Sequence, residues 1–493
     1  MTELDFLRLS KPAKAGYKLL AFLKSIPLRL WGGLKGLFLG LWGIVKKLGL
    51  ECKDIIDTFR TGDWKTRVSF LVMGFGSFAR GQYMRGILFF LFQTVFNLYI
   101  LFFGGAYLAK MGTLGTVETT KVGRVTQYGD NSFLILLYGI LTIFFILAFI
   151  YTWRVNIRQN KISQQILASG KKLKCAKDDI AALADHQFHK TLLALPSLGI
   201  FMFTILPIIF MILVAFTNFD MTHQPPGKLF TWVGWSNFKT LLSSDSASYG
   251  STFSQVLFWT LVWAFFATFL NYFLGMLVAI MINKKGIKLK KMWRTILVMT
   301  IAIPQFVSLL YVSKMFAADG LINTYLMKWG WISTPLPFWT DPTWARCTII
   351  GINIWIGIPY LMLIATGILM NIPADLYESA RIDGANAFQT YSKITLPYML
   401  FVTGPYLLTS FTSNINNFNV IYLLTQGKPL SLELSGNAGY TDLLITWLYK
   451  MTVDDSNYKI AAVIGILVFV VTAVISLVVY NLIPSVKNEE DFQ

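Results

Sequence analysis

The residues with the most chemical capacity in an unexpected place are the amides and hydroxyls of positions 409–419. They read Thr-Ser-Phe-Thr-Ser-Asn-Ile-Asn-Asn-Phe-Asn inside an otherwise apolar run. Such groups are costly in hydrocarbon unless they are paired or face a cavity. Ser410, Asn414 and Asn417 recur at i, i+4 and i+7, which places them on one face of a helix. An amide offers donors and an acceptor together, as a sugar hydroxyl does. The cluster carries no charge, so it suits a neutral polyhydroxylated solute better than an amino acid, a phosphate or a metal ion. The alternative for the same residues is polar packing between helices, a role that fits Asn416 and Asn419 better.

A second stretch is polar between two long apolar runs. It reads Tyr377-Glu378-Ser379-Ala380-Arg381-Ile382-Asp383-Gly384-Ala385, followed by Ile394-Thr395-Leu396-Pro397. Asn371 can cap a helix start and Pro373 suits a first turn, so a short helix is predicted over 373–382. Asp383-Gly384 stops it, with glycine in the left-handed position past the end. Ser379 and Ala380 are small enough for a partner surface to approach closely, and Glu378 is a charged handle for basic groups.

Other chemistries are missing. No G-x-x-x-x-G-K-[ST] loop occurs, so nothing here cradles nucleotide phosphates in the usual way. No Ser/His/Asp or paired-carboxylate arrangement is visible, and no catalytic residue is expected. His186 and His189 are three apart and could share a helical face, but a third ligand is lacking. Cys52, Cys175 and Cys347 are scattered, which gives neither metal-ligand spacing nor a disulfide framework.

The elements that must position these residues are membrane spans. The chain has 493 residues, is 55% hydrophobic and holds several apolar runs longer than about 18 residues. Eight spans are predicted, at 86–109, 133–153, 191–216, 253–283, 296–316, 347–371, 398–424 and 459–484. Alternate connections and the terminal segments hold 32 lysines and arginines, against 9 in the other set of loops. The positive-inside rule then puts both termini, and the polar insert 372–397, in the cytoplasm. The net charge of +18 is distributed over those loops, which argues against a nucleic-acid partner. The run from Lys284 and Lys285 to Arg294 serves as a topology determinant, and Lys314 lies near enough to a span end to snorkel.

The chain divides into a basic amphipathic arm (1–67), an accessory hairpin with its linker (68–190), a six-span core (191–484) and a tail (485–493). In the arm, Leu30, Trp31, Leu34, Leu37, Leu41 and Ile44 recur at helical spacing beside basic residues, which suits a helix lying on anionic lipid. Lys24, Arg29 and Lys35 break the first apolar material, so no early signal peptide is expected. Residues 68–79 are too short to span and predict a half-buried element leading into the first span.

The insert resembles the coupling loop of ATP-binding-cassette (ABC) importer permeases, an E-A-A, D-G-A, I-x-L-P pattern in which Ser379 replaces the first alanine. The resemblance implies that Glu378, Ser379, Ala380, Asp383 and Gly384 dock on a separate ATPase, which uses ATP and Mg, while this chain binds no cofactor. Three segments narrow it: Gly357-Ile358-Pro359-Tyr360, residues 410–418, and Ala438-Gly439-Tyr440-Thr441-Asp442-Leu443-Leu444. They resemble the maltose/maltodextrin-type permeases. By matching positions, Gly357, Tyr360, Ser410, Ser413, Asn414 and Asn417 are implied to line a sugar site midway through the membrane.

Ser413 stands where the family's maltose transporter has an aromatic, which removes a stacking platform. The stretch from Gly74 to Gly86 is similar to the N-terminal region of some Gram-positive sugar permeases. The loop 217–252 is too short for the large outer domain of the Gram-negative proteins, which points to a Gram-positive-type cell membrane.

What the resemblance implies is an all-α type I importer subunit working by alternating access. Its partners are a second homologous permease, two ATPase subunits, an extracellular solute-binding protein and an oligosaccharide of maltodextrin type. A galacto-oligosaccharide suits the same polar face. A secondary transporter would need a charged coupling site at mid-span, and none is present.

Overall fold

The computed structural model describes residues 51–480 except 123, 175, 244–247 and 285, with a few positions between 36 and 50. The leucine-rich stripe of the arm, the tail 485–493, Cys175 and Lys285 lie outside the described residues. The described chain is helical apart from loops and one antiparallel hairpin that pairs Thr120–Val122 with Val125–Gln127.

Among the described residues, seven helices are long and apolar enough to span a membrane. They are α1 (Tyr83–Lys110), α2 (Ser132–Ala168), α3 (Phe188–Val214), α4 (Tyr249–Asn283), α7 (Pro342–Leu369), α9 (Ala387–Ile415) and α12 (Tyr458–Tyr480). Between α4 and α7 lie α5 (Lys290–Ala302) and α6 (Gln305–Met315), a pair bent by 91°. Between α7 and α9 lies α8 (Ala374–Ile382); α10 (Phe418–Leu424) and α11 (Leu444–Val453) follow α9.

Two expected spans are broken. The run 296–316 is interrupted at Ile303-Pro304, because proline has no N–H to continue the ladder and pushes the residue before it out of helical geometry. Ile303 accordingly sits at φ −83°, ψ 126°. The run 398–424 is interrupted at Asn416-Asn417. His186 lies in the turn before α3 and His189 in its first turn, so they share no helical face.

The chain forms two compact units. One comprises the described residues up to Ala109 with Tyr138–Phe201. Its helices interleave aromatics, with Phe96 stacked on Phe149 at 3.9 Å. Arg80, nearly fully buried, pairs with Asp63 at 2.6 Å and donates to Asn160 at 2.6 Å. These bonds hold the one-turn element Phe75–Phe78 at the mouth of α1, where a half-buried segment was expected.

The second unit comprises Lys110–Leu137 and the described residues from Met202 onward. Its core has two clusters. Trp259, Trp263, Ile349, Ile352 and Ile421 form one. Tyr272, Met276, Met362, Ala365 and Met399 form the other. The Tyr272 hydroxyl bonds Thr403 at 2.8 Å, tying α4 to α9. Lys290 donates to the Asn283 carbonyl at 3.1 Å, and Arg294 donates to the Asn283 side chain. These cations cover the carbonyl end of α4, where the helix dipole favours positive charge.

Candidate functional site

The break between α5 and α6 opens a cleft of about 390 Å³. Irregular backbone at membrane depth is tolerated where it lines a cavity. Thr300, Gln305 and Ser308 supply hydroxyls and an amide, and Trp355 and Tyr360 supply ring faces from α7. No charged side chain lines it. Trp355 and Tyr360 are each about half exposed, so their rings are free to meet a ligand. A tyrosine or tryptophan gives a sugar both a flat apolar face and a hydrogen-bonding edge.

Of the six residues expected to bind solute, Tyr360 lines this cleft. Ser410 does not line it; Tyr406, four positions earlier on α9, is a residue that sequence reasoning missed, and it lies near both Ser410 and Tyr360. Trp355, Gln305 and Ser308 were also missed. Their signal was Pro304, whose break was available in the sequence, and the position of Trp355 five residues before Tyr360.

The asparagines are placed differently from the expectation. Asn417 is not on the helix that carries Ser410 and Asn414; it caps α10, and its side chain accepts from the Val420 N–H at 3.3 Å. Asn417 still meets Asn414, donating to Asn414 Oδ1 at 3.3 Å. Asn414 in turn donates to the Thr268 hydroxyl at 3.0 Å, in a widened five-residue turn of α4. The two amides therefore spend part of their capacity on packing. Ser413 is exposed. Gly357 sits where a β-carbon would come 2.4 Å from Asn271 Nδ2, so it permits α7 to approach α4 closely.

The insert forms α8 as expected, one residue later than predicted. Pro373 is the residue before the helix, and no side chain caps its start, so Asn371 does not play that part. Its end follows the expected rule. Gly384 has φ +71°, Ala385 N–H donates to Ala380 O at 2.9 Å and Gly384 N–H to Arg381 O at 3.2 Å. That pair of bonds is a Schellman stop. Asn386 and Gln389 then cap α9 reciprocally, a signal present in the sequence but overlooked.

The Tyr377 hydroxyl meets Thr395 at 3.1 Å and fixes α8 to the start of α9. Glu378, Ser379, Asp383 and Gly384 are exposed and Ala380 is half-buried. Ile382 and Phe388 expose 86% and 76% of their surface, far more than isolated packing requires.

At the other end of the core, Asp442 is fully buried. It pairs with Lys450 at 2.7 Å and accepts from Gly439 N–H at 2.7 Å and the Thr446 hydroxyl at 2.8 Å. Arg346 stacks over the Trp259 ring at 4.7 Å and donates to the Tyr440 carbonyl at 2.9 Å. These bonds fix the loop that follows α10. In the connection between α3 and α4, Asp220 accepts from Lys459 at 2.6 Å and Thr222 at 2.7 Å. Burial raises its carboxyl, but the hydrogen bonds from Lys459, Thr222 and His223 outweigh this and hold it well below the usual carboxylate range.

The chain as a whole is similar to known proteins. Residues 271–488 match the family described as "Binding-protein-dependent transport system inner membrane component". The galactooligosaccharides transport system permease protein GanP of Bacillus subtilis is 35% identical over 428 residues, covering 85% of this chain and 97% of that protein. The maltodextrin transport system permease protein MdxF of the same organism is 33% identical, covering 85% and 95%. The maltose/maltodextrin permease MalF of Escherichia coli K12 is 34% identical over 266 residues, covering 53% of this chain and 51% of that protein. A chain of a bacterial alginate ABC transporter, solved with a pentasaccharide-bound periplasmic protein, shares the fold. It has a TM-score of 0.50 and 23% identity, covering 62% of this chain and 97% of that one.

Proposed function

The chain belongs to the sugar-importing ABC permeases, multi-pass membrane proteins that transport rather than catalyse, and on that premise we propose that it forms half the pathway of an importer for a neutral oligosaccharide. The observation that carries the solute class is the cleft beside the α5–α6 break. It offers two ring faces, an amide and hydroxyls, with no charge. An acidic glycan or an amino acid would leave its charge unpaired there, which is costly away from water.

Maltodextrin is the first choice of solute, and a galacto-oligosaccharide is the alternative. Both solutes appear in the names of relatives matched along nearly their whole length. Those relatives come from Bacillus subtilis, which favours a Gram-positive-type system with a membrane-anchored binding protein.

In this reading a second permease completes the pathway, and α8 docks on one of two ATPases at the cytoplasmic face. Its exposed Glu378 and the apolar Ile382 and Phe388 form the contact. ATP and Mg act at those partners. ATPase closure moves α8, and α9 carries the motion through the Tyr377–Thr395 bond to Tyr406 and Ser410.

The test is uptake of radiolabelled maltotriose and of a labelled galacto-trisaccharide by cells with and without this chain. Loss of maltotriose uptake alone supports the first choice. Loss of galacto-trisaccharide uptake alone assigns the alternative. Unchanged uptake of both overturns the oligosaccharide reading.

A further inference from the structure

A second cleft, of about 600 Å³, opens where the helical residues 49–61 meet the second half of α2. Leu50, Ile55 and Tyr151 give it apolar walls, and Lys47, Arg154 and Arg158 give it cations. Its two acids are already engaged, Glu51 with Arg154 and Asp54 with Lys161. Lys47 and Arg158 have no carboxylate partner among the described residues, and the cleft's three cations outnumber its two carboxylates.

Its depth is informative. Arg154 and Arg158 lie roughly 33 and 39 Å along α2 from Ser132 at about 1.5 Å per residue, just past a hydrocarbon core of about 30 Å. Tyr151, one turn earlier, is 69% exposed, as residues of an interfacial aromatic belt are. Unpaired cations beside an apolar groove at headgroup level complement a phosphodiester that carries its own acyl chains. The Arg158 guanidinium can grip two phosphate oxygens at once.

We propose that this cleft is a binding site for one anionic phospholipid of the inner leaflet, its phosphodiester held by Lys47 and Arg158 and its acyl chains running along Tyr151. The proposal rests on the inward placement of the basic loops and not on the identity of the sugar. It ties the start of the described chain to the membrane through a specific headgroup as well as through diffuse charge.

The test is lipid binding by the purified full chain, measured by native mass spectrometry after reconstitution with phosphatidylglycerol or phosphatidylcholine. The expected result is one retained phosphatidylglycerol and no comparable phosphatidylcholine. Lys47→Gln with Arg158→Gln should lower that retention by roughly 5-fold per cation lost. Lys46→Gln, a neighbouring exposed lysine outside the cleft, should leave it unchanged, and Arg158→Lys should retain most of it.

Equal retention in the double variant, or no preference between the two lipids in the unaltered protein, overturns the proposal. So does complete displacement by millimolar glycerol phosphate, which would make the ligand a free phosphate. The comparison of lipids on the unaltered chain decides the matter even if the variants are poorly produced.

Discussion

Asn414 on α9 donates its side-chain N–H to the hydroxyl of Thr268 on α4, at 3.0 Å. This bond joins two spans at a widened turn of α4, and Asn417 closes on the same amide from the next element. A residue implied to bind sugar is thus also a tie between helices. Asn414→Leu is expected to lower both the melting temperature and the uptake of the assembled importer, because an unpaired buried polar group costs about 1–3 kcal/mol. Adding Thr268→Val should recover most of the melting temperature. Recovered uptake in that double variant would show that Asn414 serves packing alone. Asn419→Leu, at an exposed position, is the control and should change neither.

Tyr360 and Trp355 are half exposed in an uncharged cleft, so their rings contribute more to a ligand than to the core. Tyr360→Ala and Trp355→Ala should each cut sugar uptake by about tenfold or more, on the scale of a lost aromatic contact with its hydrogen bond. Thermal melts of the assembled complex should shift little. Wild-type uptake in both variants would remove the cleft from the pathway.

Glu378→Lys reverses the charge on α8 without touching its buried supports, since Glu378 is exposed and α8 is held by Tyr377. Yield of the chain should hold. ATPase activity stimulated by the binding protein, measured on the complex, should fall sharply along with uptake. Normal stimulation would mean that α8 docks without Glu378.

Asp442→Ala leaves Lys450 buried without its partner, which costs about 3–5 kcal/mol. The variant should give low yield and a depressed melting temperature. Asp442→Leu with Lys450→Met should regain most of the loss, because the desolvation of both charges disappears together. A double variant no better than the single one would show that the Gly439 and Thr446 bonds to Asp442, not the ion pair, hold the loop.

Asp220 has a folded-state pKa below the ordinary 3.8, so its pairing with Lys459 stabilises the fold above that value and the contribution is lost as pH falls below it. Melting temperatures taken from about pH 5 down to about pH 3 should fall more steeply for the unaltered protein than for Asp220→Asn. Parallel slopes would mean that acid acts elsewhere.

The membrane architecture was legible in the sequence because hydrocarbon accepts few alternatives to a long apolar helix. Six of the eight expected spans appear as unbroken long helices among the described residues, a seventh is a long helix that stops at Ile415, and the stop of α8 follows from the Asp383-Gly384 pair. These are local properties: apolar length, and a left-handed residue at a helix end. Pro304 and the Asn386–Gln389 cap were just as local and were available to the same reasoning.

What only the tertiary structure decided is which polar side chains face each other. Periodicity placed Ser410, Asn414 and Asn417 on one helical face, but the chain breaks at Asn416 and turns Asn417 into a cap. Tyr406 with Ser410 and Trp355 with Tyr360 are neighbours along one helix each, whereas Thr268 lies on α4 and Asn414 on α9, and nothing in their local sequence says that they meet. The same holds for Lys47 and Arg158, over a hundred residues apart, which one cleft unites. A helix sequence fixes the direction of each side chain about its own axis. The partner it meets is set by how helices cross, and that depends on close approaches such as Gly357 against Asn271, which emerge only when the whole chain is packed.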